Sequence, residues 1–171
     1  MYPKNIKLIL AISTLIYSIY QFYENNIGNG IALILLVIIF VFLYFKNEII
    51  LIIFFKLRKQ DFDGTEKWLK KIKNPERSLT KKQVGYYNYL WGIVCSQTNL
   101  TKAEKYFKKA ISIGLSMNHD LAMAKLSLAG ILIQKRRKRE ATTLLNEAKK
   151  IDTQKMLSDQ IKMMQQQMKR I

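Results

Sequence analysis

Thiols, imidazoles and prolines are nearly missing from this chain. Its one cysteine, Cys95, excludes an internal disulfide and fits a reducing compartment. Its one histidine, His119, sits in a polar turn, NHD, and with a lone thiol cannot make up the ligand set of a zinc site. No glycine-rich phosphate loop, nucleophile elbow or HExxH occurs. The carboxylates stand singly at predicted helix starts, where capping accounts for them. Without a constellation of acid, base and nucleophile, the sequence predicts no enzyme, no catalytic residue, no bound metal and no cofactor. Period-two alternation is absent as well, which leaves an all-α class.

Acidic residues are scarce too. Asp and Glu number 12 against 29 Lys and Arg. Only Lys4, Lys7, Lys46, Glu24 and Glu48 precede residue 56, so residues 56–171 hold 26 bases and 10 acids. Such a surface attracts lipid headgroups, nucleic acid or acidic proteins.

What is abundant lies at the N-terminus. Residues 8–23 are mostly apolar and end in Tyr17, Tyr20, Phe22 and Tyr23. A cleaved signal peptide needs small residues at that end; bulky aromatics suit a retained span with an interfacial belt. Residues 24–30, ENNIGNG, read as a turn. Residues 31–45 then hold thirteen Ile, Leu, Val or Phe, apolar on every face. At roughly −0.3 to −0.6 kcal/mol each, their insertion into a bilayer gains on the order of 4–8 kcal/mol. A helix continuing from Ile31 to Phe55 would be about 38 Å long against a hydrocarbon core of about 30 Å. Either the excess tilts and the membrane helix runs on to Phe55, or, the preferred reading, it leaves the membrane with Lys46 snorkelling at the interface. Bases flank both outer ends of the hairpin (Lys4 and Lys7; Lys46, Lys56, Arg58 and Lys59) and none lies in its turn, which predicts both termini on the cytoplasmic side. In the first span, Ser13, Thr14, Ser18 and Gln21 can bond another helix or their own backbone.

The remainder repeats itself. In residues 101–114, Thr101 and Glu104 have capping-box spacing, and Ala103, Phe107 and Ala110 form a stripe on one helix face. Ala141, Leu145 and Ala148 lie 38 residues downstream; Thr65, Leu69 and Ile72 lie 38 upstream. A fixed period in this range signals stacked helical repeats. Repeat one pairs helices at 49–58 and 63–73, with Asp63 and Glu66 as a capping-box-like start and Asn74-Pro75 as a stop. Repeat two pairs 81–97 with 101–113, and repeat three pairs 120–135 with 138–151. A last helix, 153–170, places Leu157, Ile161, Met164 and Met168 on one stripe, with Gln165, Gln166 and Gln167 opposite, as a capping helix requires.

These helix pairs resemble tetratricopeptide repeats. That family packs a small residue late in its first helix on an alanine early in the second, then sets a large apolar residue four positions on and another alanine three later. Ala103, Phe107 and Ala110 match, as do Ala141, Leu145 and Ala148 with Leu128 and Ala129 upstream; Leu90-Trp91-Gly92 resembles the leucine–glycine signature. The chain departs from the pattern at Thr65 and Ile72, in its missing prolines and in its period, which exceeds the family's usual length of about 34. The expected organisation is a transmembrane hairpin over 1–48, an α-solenoid of two to three such helix pairs over 49–152, and a capping helix over 153–171.

The resemblance implies a concave groove lined by first helices, here Tyr86, Tyr89, Ile93 and Gln97 of repeat two with Met123, Leu126 and Gln134 of repeat three, receiving a protein partner. Lys135, Arg136, Arg137, Lys138 and Arg139 are the densest run of charge. They suit contact with an anionic surface or simply a solvated helix end. Met156, Met163, Met164 and Met168 suit either an adaptable binding face or packing on repeat three. The expected function is a membrane-anchored adaptor binding a membrane-associated protein at the cytoplasmic face of a bacterial membrane, the bacterial source being read from Lys-, Ile- and Asn-rich composition. The alternatives are a small subunit of a transporter, protease or channel complex, and a basic domain that binds anionic lipid or nucleic acid. If span and first repeat helix form one rod, limited proteolysis of the membrane-embedded chain should spare residues 45–60; rapid cleavage there would mean a loop.

Overall fold

The computed structural model describes residues 4–45 and 48–170. Among these, helix is the only regular structure, and the chain divides into two compact units, Met1–Thr80 and Lys81–Ile171.

In the first unit, α1 (Lys4–Tyr23) and α2 (Ile27–Phe45) form an antiparallel hairpin. The turn is shorter than expected. Asn25 adopts a left-handed conformation, φ 61°, and α2 begins at Ile27, so Gly28 and Gly30 lie inside a helix. Gly30 is needed there for close approach: a Cβ at this position would lie 2.7 Å from the Phe22 ring. Ser18, itself buried, donates to the Gly30 carbonyl at 2.9 Å, while Ser13 and Thr14 bond back to Leu10 in their own helix. Lys7 Nζ donates to the Leu43 carbonyl at 3.3 Å, closing the other end of the hairpin.

Helices α3 (Glu48–Arg58) and α4 (Phe62–Lys70) pack on each other, and Ile53, Thr65 and Leu69 are fully buried. The capping box expected at Asp63 and Glu66 does not form. Asp61 caps α4 instead, accepting from the Gly64 amide at 2.8 Å and pairing with Lys56 at 2.8 Å. Asp61 has the better geometry because Gln60 turns left-handed, φ 58°, and carries the next side chain over the helix start. Helix α4 ends at Lys70, short of Asn74-Pro75, and Pro75 opens the four-residue α5 (Pro75–Ser78) where a stop was expected; its fixed φ suits a first helical position. Lys46, the expected snorkelling base, lies outside the described residues, as does any junction between α2 and α3. The rod expected over 45–60 is therefore helical from Glu48 to Arg58 and gives way to a turn at 59–61.

In the second unit, α6 (Lys81–Ser96) pairs with α7 (Leu100–Ile113), and α8 (Asn118–Gln134) pairs with α9 (Lys138–Ile151). Helix α7 packs on α8, α6 also touches α8, and α10 (Ser158–Arg170) closes on α8 and α9. The period read from the sequence is written into the burial. Ala103, Phe107 and Ala110 are at most 1% exposed, and Ala141, Leu145 and Ala148 are fully enclosed. Small residues at these positions let the helices approach. A Cβ on Gly92 would sit 2.8 Å from the Phe107 ring, and Tyr89 meets that ring edge-on at 5.9 Å. Removing so enclosed a ring typically costs about 3–5 kcal/mol. Ala122, Leu126, Ala129, Leu145, Ala148, Leu157 and Ile161 form a second cluster, joined by Met164 and Met168 from α10. Met156 and Met163 stay exposed.

The last helix starts five residues later than expected. Asp152 is buried, and its carboxylate accepts from the Met156 and Leu157 amides, holding 152–157 as a turn. At the other end of the unit, Gly114 adopts φ 82°, and its carbonyl presses on α6 where a Cβ at Gly85 would lie 2.6 Å away. Because that neighbour is backbone, it cannot rotate aside. Gly85→Ala is expected to destabilise the unit by about 1–3 kcal/mol despite the better helix propensity of alanine; a melting temperature at or above that of the parent chain would contradict this packing.

Candidate functional site

The densest polar cluster lies where α7 meets the α8–α9 turn. Thr101 and Glu104 were expected to cap α7. The helix begins one residue earlier, capped by Asn99, whose side chain accepts from the Lys102 amide at 2.9 Å. Glu104 is thereby released for another task. Its carboxylate is buried and accepts three charged hydrogen bonds: Lys108 at 2.7 Å, Lys135 at 2.7 Å and Arg137 at 2.6 Å. Arg137 turns its other nitrogens to Glu140 at 2.6 and 2.7 Å. Lys108 foremost, then Lys135 and Arg137, hold the Glu104 carboxyl well below the usual range, at about 2, against the opposing effect of burial. The two glutamates likewise push the Arg137 guanidinium up, Glu140 more than Glu104.

This redistributes the charge run at 135–139. Lys135 closes α8, Arg136 adopts φ 59°, Arg137 precedes α9, and Lys138 and Arg139 begin it. Lys135 and Arg137 are spent on Glu104 and Glu140, so they are inward-tied cations and not the free anionic-surface contacts expected. Arg136, Lys138 and Arg139 remain exposed.

The residues expected to line a groove divide in the same way. Tyr86, Tyr89 and Leu126 are buried, which corrects their reading as groove-lining side chains. Tyr86 donates to the Asp120 carboxylate at 2.6 Å, linking α6 to α8. Burial first and that carboxylate second push its phenol up to about 12. Burial, with Asp120 contributing, does the same to Tyr89, also to about 12. Met123 is half-buried against the α8–α9–α10 cluster, and Ile93 is half-buried on α6. Only Gln97 and Gln134 are exposed. Helix–helix contact is the reason: Tyr86 meets α8 through Asp120, Tyr89 packs on Phe107 of α7, and Leu126 belongs to the α8–α9–α10 cluster.

The other aromatics gather elsewhere. Trp91 stacks on Tyr106 at 5.7 Å and meets Tyr87 edge-on at 6.4 Å. Its indole nitrogen is buried and finds no acceptor. His119, expected in a turn, falls in the first turn of α8, where it borders a cleft of about 350 Å³ with Ser116, Asp152 and Gln154. Among the described residues, no three His, Cys, Asp or Glu side chains are grouped to hold a metal ion.

The remaining candidate surface is the hairpin. Its windows Ile6–Tyr23 and Ile27–Tyr44 are long and apolar enough to cross a membrane, and only 11% and 6% of their residues are buried. No family model matches the chain, and neither does any curated protein or solved structure.

Glu104 makes the fold's stability pH-dependent in a defined direction. An unfolded glutamate keeps its ordinary value of 4.5, while the folded one lies near 2. Its contribution is therefore complete above about pH 4.5 and is lost as pH falls towards 2. Glu104→Gln should cost about 1–3 kcal/mol at neutral pH and flatten this acid limb in unfolding titrations. An unchanged acid limb would show that Glu104 does not carry it.

Proposed function

We propose that this chain is a membrane-anchored helical-repeat adaptor, with the hairpin in the bilayer and a tetratricopeptide-like repeat domain on the cytoplasmic side. One observation carries the reading: two adjacent helices, the first mostly apolar and the second apolar on every face, remain almost wholly unburied. Water is a poor solvent for such a surface, and lipid is a good one. The hairpin turn carries no base, while Lys56, Arg58 and Lys59 follow the second span, which supports cytoplasmic termini. The bulky YSIYQFY end of the first span supports retention of the anchor over cleavage.

Support for the repeat reading comes from the 38-residue recurrence of buried stripes. It comes also from the second unit, where the α8–α9 pair packs on α7 of the pair before it. Chains built this way offer an extended surface whose purpose is binding. Anchoring restricts that surface to two dimensions and raises the effective concentration for partners in the same membrane. The exposed members of the expected groove, Gln97 and Gln134, with half-buried Ile93 and Met123, are the contact positions of this reading.

Photo-crosslinking from Gln97 and Gln134 in native membranes should yield discrete protein adducts. These should persist when an unrelated two-helix anchor replaces the hairpin. Adducts arising only from hairpin positions such as Ile16, and lost on replacement, would make the chain a subunit held through its spans instead.

A further inference from the structure

Packing α10 against α9 leaves an open cleft of about 490 Å³ along the edge of the last helix, floored in part by Met168. Three lysines line it: Lys138 from the start of α9, and Lys162 and Lys169 from α10. Thr142, Gln165 and Gln166 add uncharged hydrogen-bonding groups, and no carboxylate lines the cleft. The charge here is not spent internally. Lys135 and Arg137, just upstream, are neutralised by Glu104 and Glu140, but Lys138 lies beyond the reach of that cluster. Lys138 and Lys169 have no ion pair among the described residues. Lys162 approaches only Asp159, at 3.9 Å, with side chains 72% and 96% exposed, a pairing that water screens.

Three lysines line one cleft with no carboxylate among the lining residues, and a single multivalent anion can meet all three. We propose that the α9–α10 cleft binds a compact phosphate-bearing anion, with Lys138, Lys162 and Lys169 as its cationic ligands and the Gln165 and Gln166 amides as further donors. Phosphate is favoured over an acidic peptide by geometry. A phosphate group concentrates up to two charges and several acceptor oxygens at one point, whereas a peptide spreads single carboxylates along an extended chain. Two sources share this chemistry, a phospholipid headgroup and a soluble oligophosphate. The site stands independently of the adaptor reading, because it rests only on the second unit.

Lysine acylation footprinting of the full-length chain in nanodiscs tests it. The reference groups are Lys149 and Lys150, exposed in the last turn of α9. Inorganic tripolyphosphate added to phosphatidylcholine discs, or phosphatidylglycerol within the discs, should slow acylation of Lys138, Lys162 and Lys169 about fivefold relative to the references. Protection by tripolyphosphate in phosphatidylcholine discs identifies a soluble source, and protection by phosphatidylglycerol alone identifies lipid. The double variant Lys162→Gln, Lys169→Gln should abolish protection of Lys138. Equal protection of all lysines, selective protection in neither arm, or a Lys138 still protected in the double variant would overturn the proposal. Polyglutamate protecting the three lysines while both phosphates leave them reactive would overturn it in favour of an acidic peptide.

Discussion

Two helices lie only as close as the side chains between them allow, and this chain depends on keeping that distance short. Alanine at 103, 110, 141 and 148 and glycine at 85 and 92 clear the space, and one large side chain per pair, Phe107 or Leu145, fills what remains. The large residue is then enclosed on every side, which is where burial is worth most. The N-terminal hairpin applies the same rule to different ends. Gly30 admits the Phe22 ring, and the close approach lets Ser18 reach a backbone carbonyl across the pair. Such contacts would hold the pair together even in lipid, where the apolar effect between helices vanishes.

Close packing also decides what happens to charge. A basic domain with few acids has little to offset its own repulsion. Glu104, placed on the buried side of α7, collects three cations, and Arg137 carries the link on to Glu140. A carboxylate so enclosed is stable because both of its oxygens meet charged donors; with one partner it would be a liability. Its effect is local, tying α7 to the turn that joins α8 and α9. Among the described residues, Lys138 of α9 and Lys169 of α10 are left without an ion pair, and Lys162 has only the exposed Asp159 at 3.9 Å.

Much of the fold was legible in order and period. The uncovered hairpin, the helix pairs and the stripes at Ala103, Phe107 and Ala110 and at Ala141, Leu145 and Ala148 follow from residue size and spacing, which are one-dimensional properties. Capping was legible in kind but misplaced. Asn99 and Asp61 are as good caps as Thr101 and Asp63, and backbone geometry chooses between them. The delayed start of α10 has the same origin in Asp152.

The candidate site was less legible. Spacing placed Tyr86, Tyr89 and Leu126 on the first helices of their pairs, but their burial depends on tertiary neighbours: Asp120 of α8 for Tyr86, Phe107 of α7 for Tyr89, and the α8–α9–α10 cluster for Leu126. Likewise, five consecutive bases at 135–139 look equivalent in sequence. Only the fold brings Glu104 beside two of them and α10 beside a third. The sequence by itself determined that the chain is helical, which stripes are buried and which two helices are long and apolar enough to cross a membrane, because those depend on each residue's own size and polarity. The tertiary structure alone decided which charges are free, because neutralisation depends on distance in space.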